Sequence, residues 1–590
     1  MVYRYRSQNT IMRRSAGADP RLRAAAIIVS IVAGLVIFRL SILMIFQHDF
    51  YTALAAGSHD VYSQLFPVRG EVFIQGSRAG EEYPLAINRD YFLLYADTRD
   101  IDDAAALEVT EKLAEIFSYN EEKKLEIFAK INKRDDPYEP IEQKVDKDVM
   151  EKIEELDLPG IYFLRKPYRY YPEGNLAANI IGFVGKTEDG QDIGSYGIEG
   201  YWEKELAGSG GFFSGAKSAS GFWIPLAGRS FDPATNGADL HLTIDRTIQY
   251  YACERLRIGL EEYGASSASL VIMDPATGAI YAMCSLPDFD PNYYNKVSSI
   301  EVYNNNTVFV SYEPGSVFKP VVMAGALNEN AVAPETIFYD KGFREGLCSK
   351  PIKNAAEKVY QDQTMAGVLE NSINTGMVFV AEKLGKTKLR EYVERFGFGL
   401  RTGIELNTEV GGTAESLSIN KKEAIDCYAA TASFGQGITA TPLQLAAAYS
   451  AIANGGLLMK PYIVQEVKYD DGRIDRRRPV IVRQVLEKRA ASLLSAMLVN
   501  VVDRGHAKRA GVPGYFVAAK TGTAQIPGPG GYISETNHTL VGFGPADAPK
   551  FVMVVKYEKP RRAYAESTAA PVFGDIAKFI LQYYQVPPGR

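Results

Sequence analysis

The sequence predicts a multi-domain α/β protein: a single N-terminal transmembrane helix, an α+β module, and a C-terminal domain with an antiparallel sheet flanked by helices. Three observations lead there. A 23-residue apolar run lies near the N-terminus. Short strands and charged amphipathic helices then alternate as far as about residue 235. Beyond it, strand candidates cluster at both ends of the remaining chain, with helices between them. A chain of 590 residues also exceeds one ordinary core, so two or more domains are expected.

The apolar run is Ala24 to Phe46. As a helix it would span about 34 Å at ~1.5 Å per residue, enough to cross the hydrocarbon core. Its one charge, Arg39, lies toward the C-terminal end and can snorkel to the interface. Residues 1–23 carry Arg4, Arg6, Arg13, Arg14, Arg21 and Arg23 against Asp19, a bias that holds the N-terminus in the cytoplasm. A cleaved signal peptide fits less well, because the run is long and no clean cleavage site follows. Everything after residue 46 is then expected outside the cytoplasmic membrane.

The module over residues 50–235 shows helical patterns at Ala104 to Ile131 and Lys144 to Leu156. Arg169-Tyr-Tyr-Pro-Glu-Gly174 marks a turn, and Gly197-Ile-Glu-Gly200 leads into a short helix. Gly208 to Gly221 reads as an exposed loop. No catalytic constellation occurs here, so this half reads as a spacer or interaction module.

The texture changes at Leu240, and the domain is drawn over 240–585. Ser269 to Asp274 and Ala279 to Cys284 read as strands joined by a Pro/Gly turn. Three more strands are expected at Tyr515 to Ala519, His538 to Phe543 and Phe551 to Tyr557. Thr441 suits the N-cap and Pro442 the first position of a helix that Gly455-Gly456 stops. A terminal helix covers Pro571 to Tyr584.

Composition excludes several classes. A net charge of -6 argues against a nucleic-acid binder. Five histidines form no HExxH, and no P-loop is present, so neither a metal nor a nucleotide cofactor is expected. Cys253, Cys284, Cys348 and Cys427 form no CxxC pair. They are expected to be free, mostly buried thiols.

Three motifs carry chemistry. Glu313-Pro-Gly-Ser316-Val-Phe-Lys319 breaks the chain at Pro-Gly and opens an apolar helix. Ser316 then sits where free N–H groups favour negative charge. Lys319 lies one turn away on the same face. A serine hydroxyl needs an adjacent base, and a lysine serves if burial or a nearby cation lowers its pKa. The second motif is Ser372-Ile-Asn374, a hydroxyl and an amide suited to proton relay and substrate contact. The third is Lys520-Thr521-Gly522-Thr523, following a strand. Its lysine and hydroxyls suit a carboxylate, Gly522 lets a substrate backbone approach, and the N–H of Thr523 with that of Ser316 can form an oxyanion hole. Each motif alone is weak; SxxK, SxN and KTG in this order, on suitable elements, are not a coincidence.

With these motifs the chain resembles the class B penicillin-binding proteins. The resemblance runs from the anchor to about residue 585. It includes Arg69-Gly70, Arg169 to Gly174, Gly197 to Gly200, Leu242-Thr-Ile-Asp245, Tyr312 to Ser316, Phe434-Gly-Gln-Gly437 with Thr441-Pro442, and Lys520 to Gln525. The ending Ala570-Pro-Val-Phe-Gly-Asp575 is similar to the division-specific branch. The resemblance implies a pedestal (dimerisation-type) domain and a penicillin-binding/β-lactamase-like D,D-transpeptidase domain acting on stem peptides that end in D-Ala-D-Ala. It implies Ser316 as nucleophile, Lys319 as base, Ser372 as relay and Asn374 as substrate contact. Lys520, Thr521 and Thr523 become the carboxylate and oxyanion clamp. β-Lactams are expected to acylate Ser316. A membrane glycosyltransferase and other division or elongation proteins are expected partners, since no sugar-polymerising domain fits between anchor and pedestal. The chain departs from relatives at Val72-Phe-Ile-Gln75-Gly76, where an Asp is common, and at Ile373, where some relatives have Ser.

Two other readings stay open. The same motifs serve a D,D-carboxypeptidase or β-lactamase-type hydrolase, in which water is the acceptor. A non-catalytic β-lactam-binding receptor or scaffold would use the pedestal instead.

Overall fold

The computed structural model describes residues 20–41, 67–77, 80–133, 136–214, 230–418 and 424–590. The chain divides into two compact units. The first, residues 1–67 and 209–235, contains α1 (Pro20–Ser41) and a short antiparallel pair, Phe212–Ser214 with Ser230–Asp232. The expected membrane span overlaps α1, but residues 42–46 and the basic tail before residue 20 lie outside the described residues. Among the described residues, no helix is long and apolar enough to cross a membrane. Ile27, Ile31, Leu35 and Phe38 of α1 are all more than half exposed. The expected loop at 208–221 also lies mostly outside the described residues.

The second unit, 68–208 and 236–590, holds two sheets. Its first part runs β1 (Val72–Gln75), β2 (Glu82–Ala96), α2 (Asp103–Phe117), α3 (Glu121–Ile131), β3 (Glu139–Val145) and β4 (Ile161–Tyr170). The helix expected over 104–131 is two helices. Ser118 takes a left-handed φ of 54° and ends α2; the Asn120 side chain accepts from the Lys123 N–H and starts α3. Val109 and Leu113 of α2 and Ile127 of α3 close a separate small core on Leu94, Ile141 and Val145.

The chain continues with β5 (Asp239–Asp245), α4 (Arg246–Tyr263), β6 (Ser267–Met273), β7 (Ile280–Leu286), α5 (Lys319–Asn328), β8 (Ile337–Asp340), α6 (Met365–Glu370), α7 (Asn374–Leu384) and α8 (Pro442–Ala453). It ends with β9 (Val464–Lys468), β10 (Ile474–Arg476), β11 (Ala518–Gly528), β12 (Gly531–Gly544), β13 (Phe551–Glu558) and α9 (Ala569–Tyr583). The first sheet has the order β10-β9-β5-β1-β2-β3, with β4 also on β2. It therefore crosses the expected boundary near residue 240: β1 pairs in parallel with β5, and Gln75 Nε2 donates to Gln465 Oε1 at 2.7 Å. The five-residue stretch that departs from relatives is thus an ordinary ladder strand and its end.

The second sheet, β7-β6-β13-β12-β11, is antiparallel throughout, as expected, with β11 at its edge. α4 and α9 pack on each other and on this sheet, and α8 packs on β6, β12 and β13. The start of α8 forms a full capping box: Thr441 Oγ1 accepts from the Gln444 N–H, and Gln444 Oε1 accepts from the Thr441 N–H. The expected strand at 515–519 begins later and runs far longer. Ladder pairing with β12 continues through Lys520↔Val541 and Thr523↔His538, so the KTG motif lies inside the strand.

The cysteine expectation is corrected. Cys253 of α4 is bonded to Cys284 of β7, and Cys348 to Cys427, leaving no free thiol. Separations of 31 and 79 residues gave no sequence signal, because α4 must first pack on β7 for the sulfurs to meet. Loops of this length stabilise by roughly 2–4 kcal/mol each through the unfolded chain.

Three motifs from residues 69–200 meet in one buried ion network. Glu199, fully buried in the short helix Gly197–Tyr201, receives Arg69 at 2.6 Å and Arg169 at 2.6 Å. Arg169 also donates to the Gly70 carbonyl, and Arg69 pairs with Glu203. Burial alone would raise the Glu199 carboxyl, but the Arg169 and Arg69 charges and hydrogen bonds hold it below 4.5. A depressed carboxyl contributes stability that is complete above pH 4.5 and is lost as pH falls through the folded value. Glu199→Ala leaves buried Arg169 without a carboxylate while Arg69 keeps Glu203, so denaturant unfolding of the full-length chain at neutral pH should show a loss of about 3–5 kcal/mol.

Candidate active site

Gly315 sets the position of the Ser316 turn. Its φ is +57°, and a short 3-10 turn, Gly315–Phe318, follows before α5 begins at Lys319. Ser316 therefore stands one tight turn ahead of the α-helix rather than at its first residue. The turn is held from three sides. The Gly315 N–H donates to the Gly435 carbonyl at 3.0 Å, Tyr449 Oη of α8 donates to the Val317 carbonyl at 2.8 Å, and β11 lies against it. Glu313 accepts from the Gly437 N–H and from Tyr532 Oη, both at 2.9 Å. The Phe434-Gly-Gln-Gly437 stretch is thus a brace behind Ser316.

Gly522 lies in a close approach of two segments. A Cβ there would meet Val317 Cγ1 at 3.0 Å and the Pro314 carbonyl at 3.1 Å. A side chain here would press on the Ser316 turn, against which β11 packs.

The SxN motif occupies the turn between α6 and α7. Ser372 carries a left-handed φ of +55°, a strained state for a non-glycine residue, costing roughly 1–3 kcal/mol. That strain points its side chain into the centre of the site. Ser372 Oγ lies 3.0 Å from Ser316 Oγ, 3.1 Å from Lys319 Nζ and 3.1 Å from Lys520 Nζ. Lys319 Nζ also donates to the Ser372 carbonyl at 2.5 Å and to Asn374 Oδ1 at 2.8 Å. Asn374 Nδ2 donates to the Lys353 carbonyl at 3.0 Å, which leaves one amide hydrogen for a ligand. Ser316, Lys319, Ser372, Asn374 and Lys520 are therefore brought together, with Ser372 as the hub. The hydrogen bond of Ser316 Oγ runs to Ser372, which bridges it to both amines.

Thr521 and Thr523 continue along the edge strand. Thr523 Oγ1 accepts from the Ala565 N–H at 3.1 Å and keeps its own hydrogen free to donate. Opposite it on β12, His538 is bracketed by Thr536 and Thr568, and burial pushes it down to about 4, so it stands neutral.

Both lysines are buried, with 0% exposure. Burial, followed by the charge of Lys520, holds the Lys319 amine well below 10.5. Burial lowers Lys520 to about 7. The Lys319 amine has three neighbours: two are carbonyl oxygens that only accept, and the third is a hydroxyl. Lys319 Nζ donates to all three, and the Ser372 O–H donates onward to Ser316 Oγ.

Residues 268–578, more than half the chain, match the family model described as the penicillin binding protein transpeptidase domain. Residues 67–242 match the penicillin-binding protein dimerisation domain. Stage V sporulation protein D of Bacillus subtilis is 33% identical over 91% of this chain and 82% of its own. Peptidoglycan D,D-transpeptidase FtsI of Escherichia coli is 29% identical over 86% of this chain and 82% of its own. The crystal structure of Penicillin Binding Protein 2X from Streptococcus thermophilus superposes with a TM-score of 0.73 at 20% identity, covering 88% of this chain and 80% of the other. The chain belongs to the penicillin-binding protein transpeptidase family, in its class B branch.

Sequence reasoning missed Glu313, Gly435 and Tyr449 as supports of the site. Glycines around Ser316 were a usable signal. At Gly435, φ is +84° and a Cβ would stand 2.1 Å from the Gly315 carbonyl. Gly435→Ala should therefore cost more than about 1 kcal/mol in thermal unfolding of the full-length chain, and displace the Ser316 turn.

Proposed function

We propose that this chain is a serine-type peptidoglycan D,D-transpeptidase with Ser316 as its nucleophile. One observation carries the reading: the hydroxyls of Ser316 and Ser372 lie 3.0 Å apart, and two buried amines converge on the second.

Ser316 Oγ attacks the penultimate D-Ala carbonyl of a stem peptide. Its proton passes to Ser372 Oγ, and the Ser372 proton passes to neutral Lys319. The N–H groups of Ser316 and Thr523 receive the oxyanion. The C–N bond then breaks, the leaving amine takes a proton back through Ser372, and terminal D-Ala departs. Lys520 in its ammonium form, with Thr521 and Thr523, holds the substrate's terminal carboxylate. The amide hydrogen left on Asn374 contacts the substrate backbone. An amine of a neighbouring stem attacks the ester, gives its proton to the same relay, and restores Ser316. β-Lactams enter as stem-peptide mimics that acylate Ser316.

The exposed apolar side chains of α1 and the arginine-rich tail support a single-pass anchor over 24–46, with the tail (1–23) cytoplasmic and the catalytic part outside. Two disulfides fit an oxidising compartment. Residues 50–235 then form the pedestal and 240–585 the transpeptidase domain. The E. coli relative's name and the Ala570 to Asp575 ending support work in septal cell-wall synthesis, beside a membrane glycosyltransferase and other division or elongation proteins.

Fluorescent penicillin should label the full-length chain, and Ser316→Ala should abolish the label; equal labelling of both excludes Ser316. With a stem-peptide thioester and a D-amino acid, an exchanged peptide product is expected. Release to water alone would make the chain a hydrolase, and labelling without turnover of any substrate would make it a receptor.

A further inference from the structure

We propose that Asp340, Asn354 and Thr375 form a buried positioning unit that sets Ser372 and Asn374 against Lys319. The proposal rests on the reading of those two residues as parts of the site. None of the three touches Ser316, and no motif names them.

Asp340 ends β8 and is fully buried, with Asn354 and Thr375 at 5% and 3% exposure. Its two oxygens accept four hydrogen bonds from neutral donors. Oδ1 takes Thr375 Oγ1 at 2.7 Å and the Gly342 N–H at 2.9 Å. Oδ2 takes Asn354 Nδ2 and the Tyr360 N–H, both at 2.9 Å. Asn354 in turn accepts from the Thr375 N–H at 3.1 Å. Thr375 is therefore gripped through both its hydroxyl and its backbone.

The location of that grip is what matters. Thr375 is the second residue of α7, directly after Asn374. The first N–H groups of a helix need acceptors, and the N-cap here is Ile373, whose side chain offers none. Asn354 supplies the missing cap from another segment. Its chain neighbour Lys353 fixes Asn374 Nδ2 through the backbone carbonyl. A carboxylate beside a helix N-terminus also suits the helix dipole.

Upstream, Ser372 holds its left-handed φ, a state that persists only where the surroundings over-determine it. The Ser372 N–H bonds back to the Leu369 carbonyl and the Ile373 N–H to the Val368 carbonyl, pinning the turn from the α6 side. The Asp340 unit pins it from the α7 side. Release of that second hold would let Ser372 and Asn374 drift from Lys319 without touching any group that reacts. A displacement of one ångström at such groups costs on the order of 100-fold in rate.

The test compares wild-type full-length chain with Thr375→Ser, Thr375→Ala and Thr375→Val. It measures the penicillin acylation rate at saturation, the binding constant and the thermal midpoint. Thr375→Ser keeps the hydroxyl and should acylate within about threefold of wild type. Ala and Val lose it and should acylate roughly 10–100-fold more slowly at saturation, with the binding constant and midpoint little changed. Equal saturating rates in all four proteins would overturn the proposal. So would slowing that only tracks the unfolded fraction. If wild type itself is not acylated, the proposed function fails, and the unit is judged by amide hydrogen exchange at residues 374–376. Faster exchange in the Ala and Val variants then supports it, and unchanged exchange overturns it.

Discussion

Lys319 and Lys520 are both fully buried, and both donate to one hydroxyl, that of Ser372. Among the described residues neither forms an ion pair. Two ammonium charges held this way repel each other and lack the solvation that water would supply, so full protonation of both is disfavoured. That constraint does the chemical work. It holds the Lys319 amine well below the ordinary lysine value and brings Lys520 down to about 7.

The fold supplies the constraint by bringing three distant segments to one point. The Ser316 turn sits between the Phe434 to Gly437 brace and edge strand β11. Bare glycines at 315, 435 and 522 are what allow those three backbones so close. The SxN turn enters from the other side, in a strained conformation held by α6 and the Asp340 unit. A network of this kind is costly unless its members are satisfied, and here nearly every donor has a named acceptor. The remote pedestal shows the same economy with charges: one buried carboxylate serves Arg69 and Arg169, so three motifs far apart in sequence report on one contact.

Much of this was legible beforehand where local chemistry is strong. Pro442 with Thr441 announced α8, and the Pro/Gly turn at 274–278 announced the strands β6 and β7 on either side of it. SxxK, SxN and KTG in order pointed to the site, because each needs side chains of one type at one spacing. What stayed hidden depends on tertiary approach. Cys253 and Cys284 pair only because α4 packs on β7. Asp340 carries no motif, being an ordinary acid until three segments fold around it. At Gly522 the close approach of Val317 and Pro314 also stayed hidden. The helix over 104–131 was read as one, since its apolar period continues through a break that a left-handed Ser118 imposes.

The central claim is that burial lowers both site lysines, with the charge of Lys520 adding to the effect on Lys319. Full-length chain carrying 13Cε-lysine, with signals assigned from Lys319→Arg and Lys520→Arg, measures this directly by NMR titration. The account predicts a Lys520 midpoint of about 7 and a Lys319 midpoint well below 10.5. Two signals that both titrate at the ordinary lysine value of about 10.4 would contradict it.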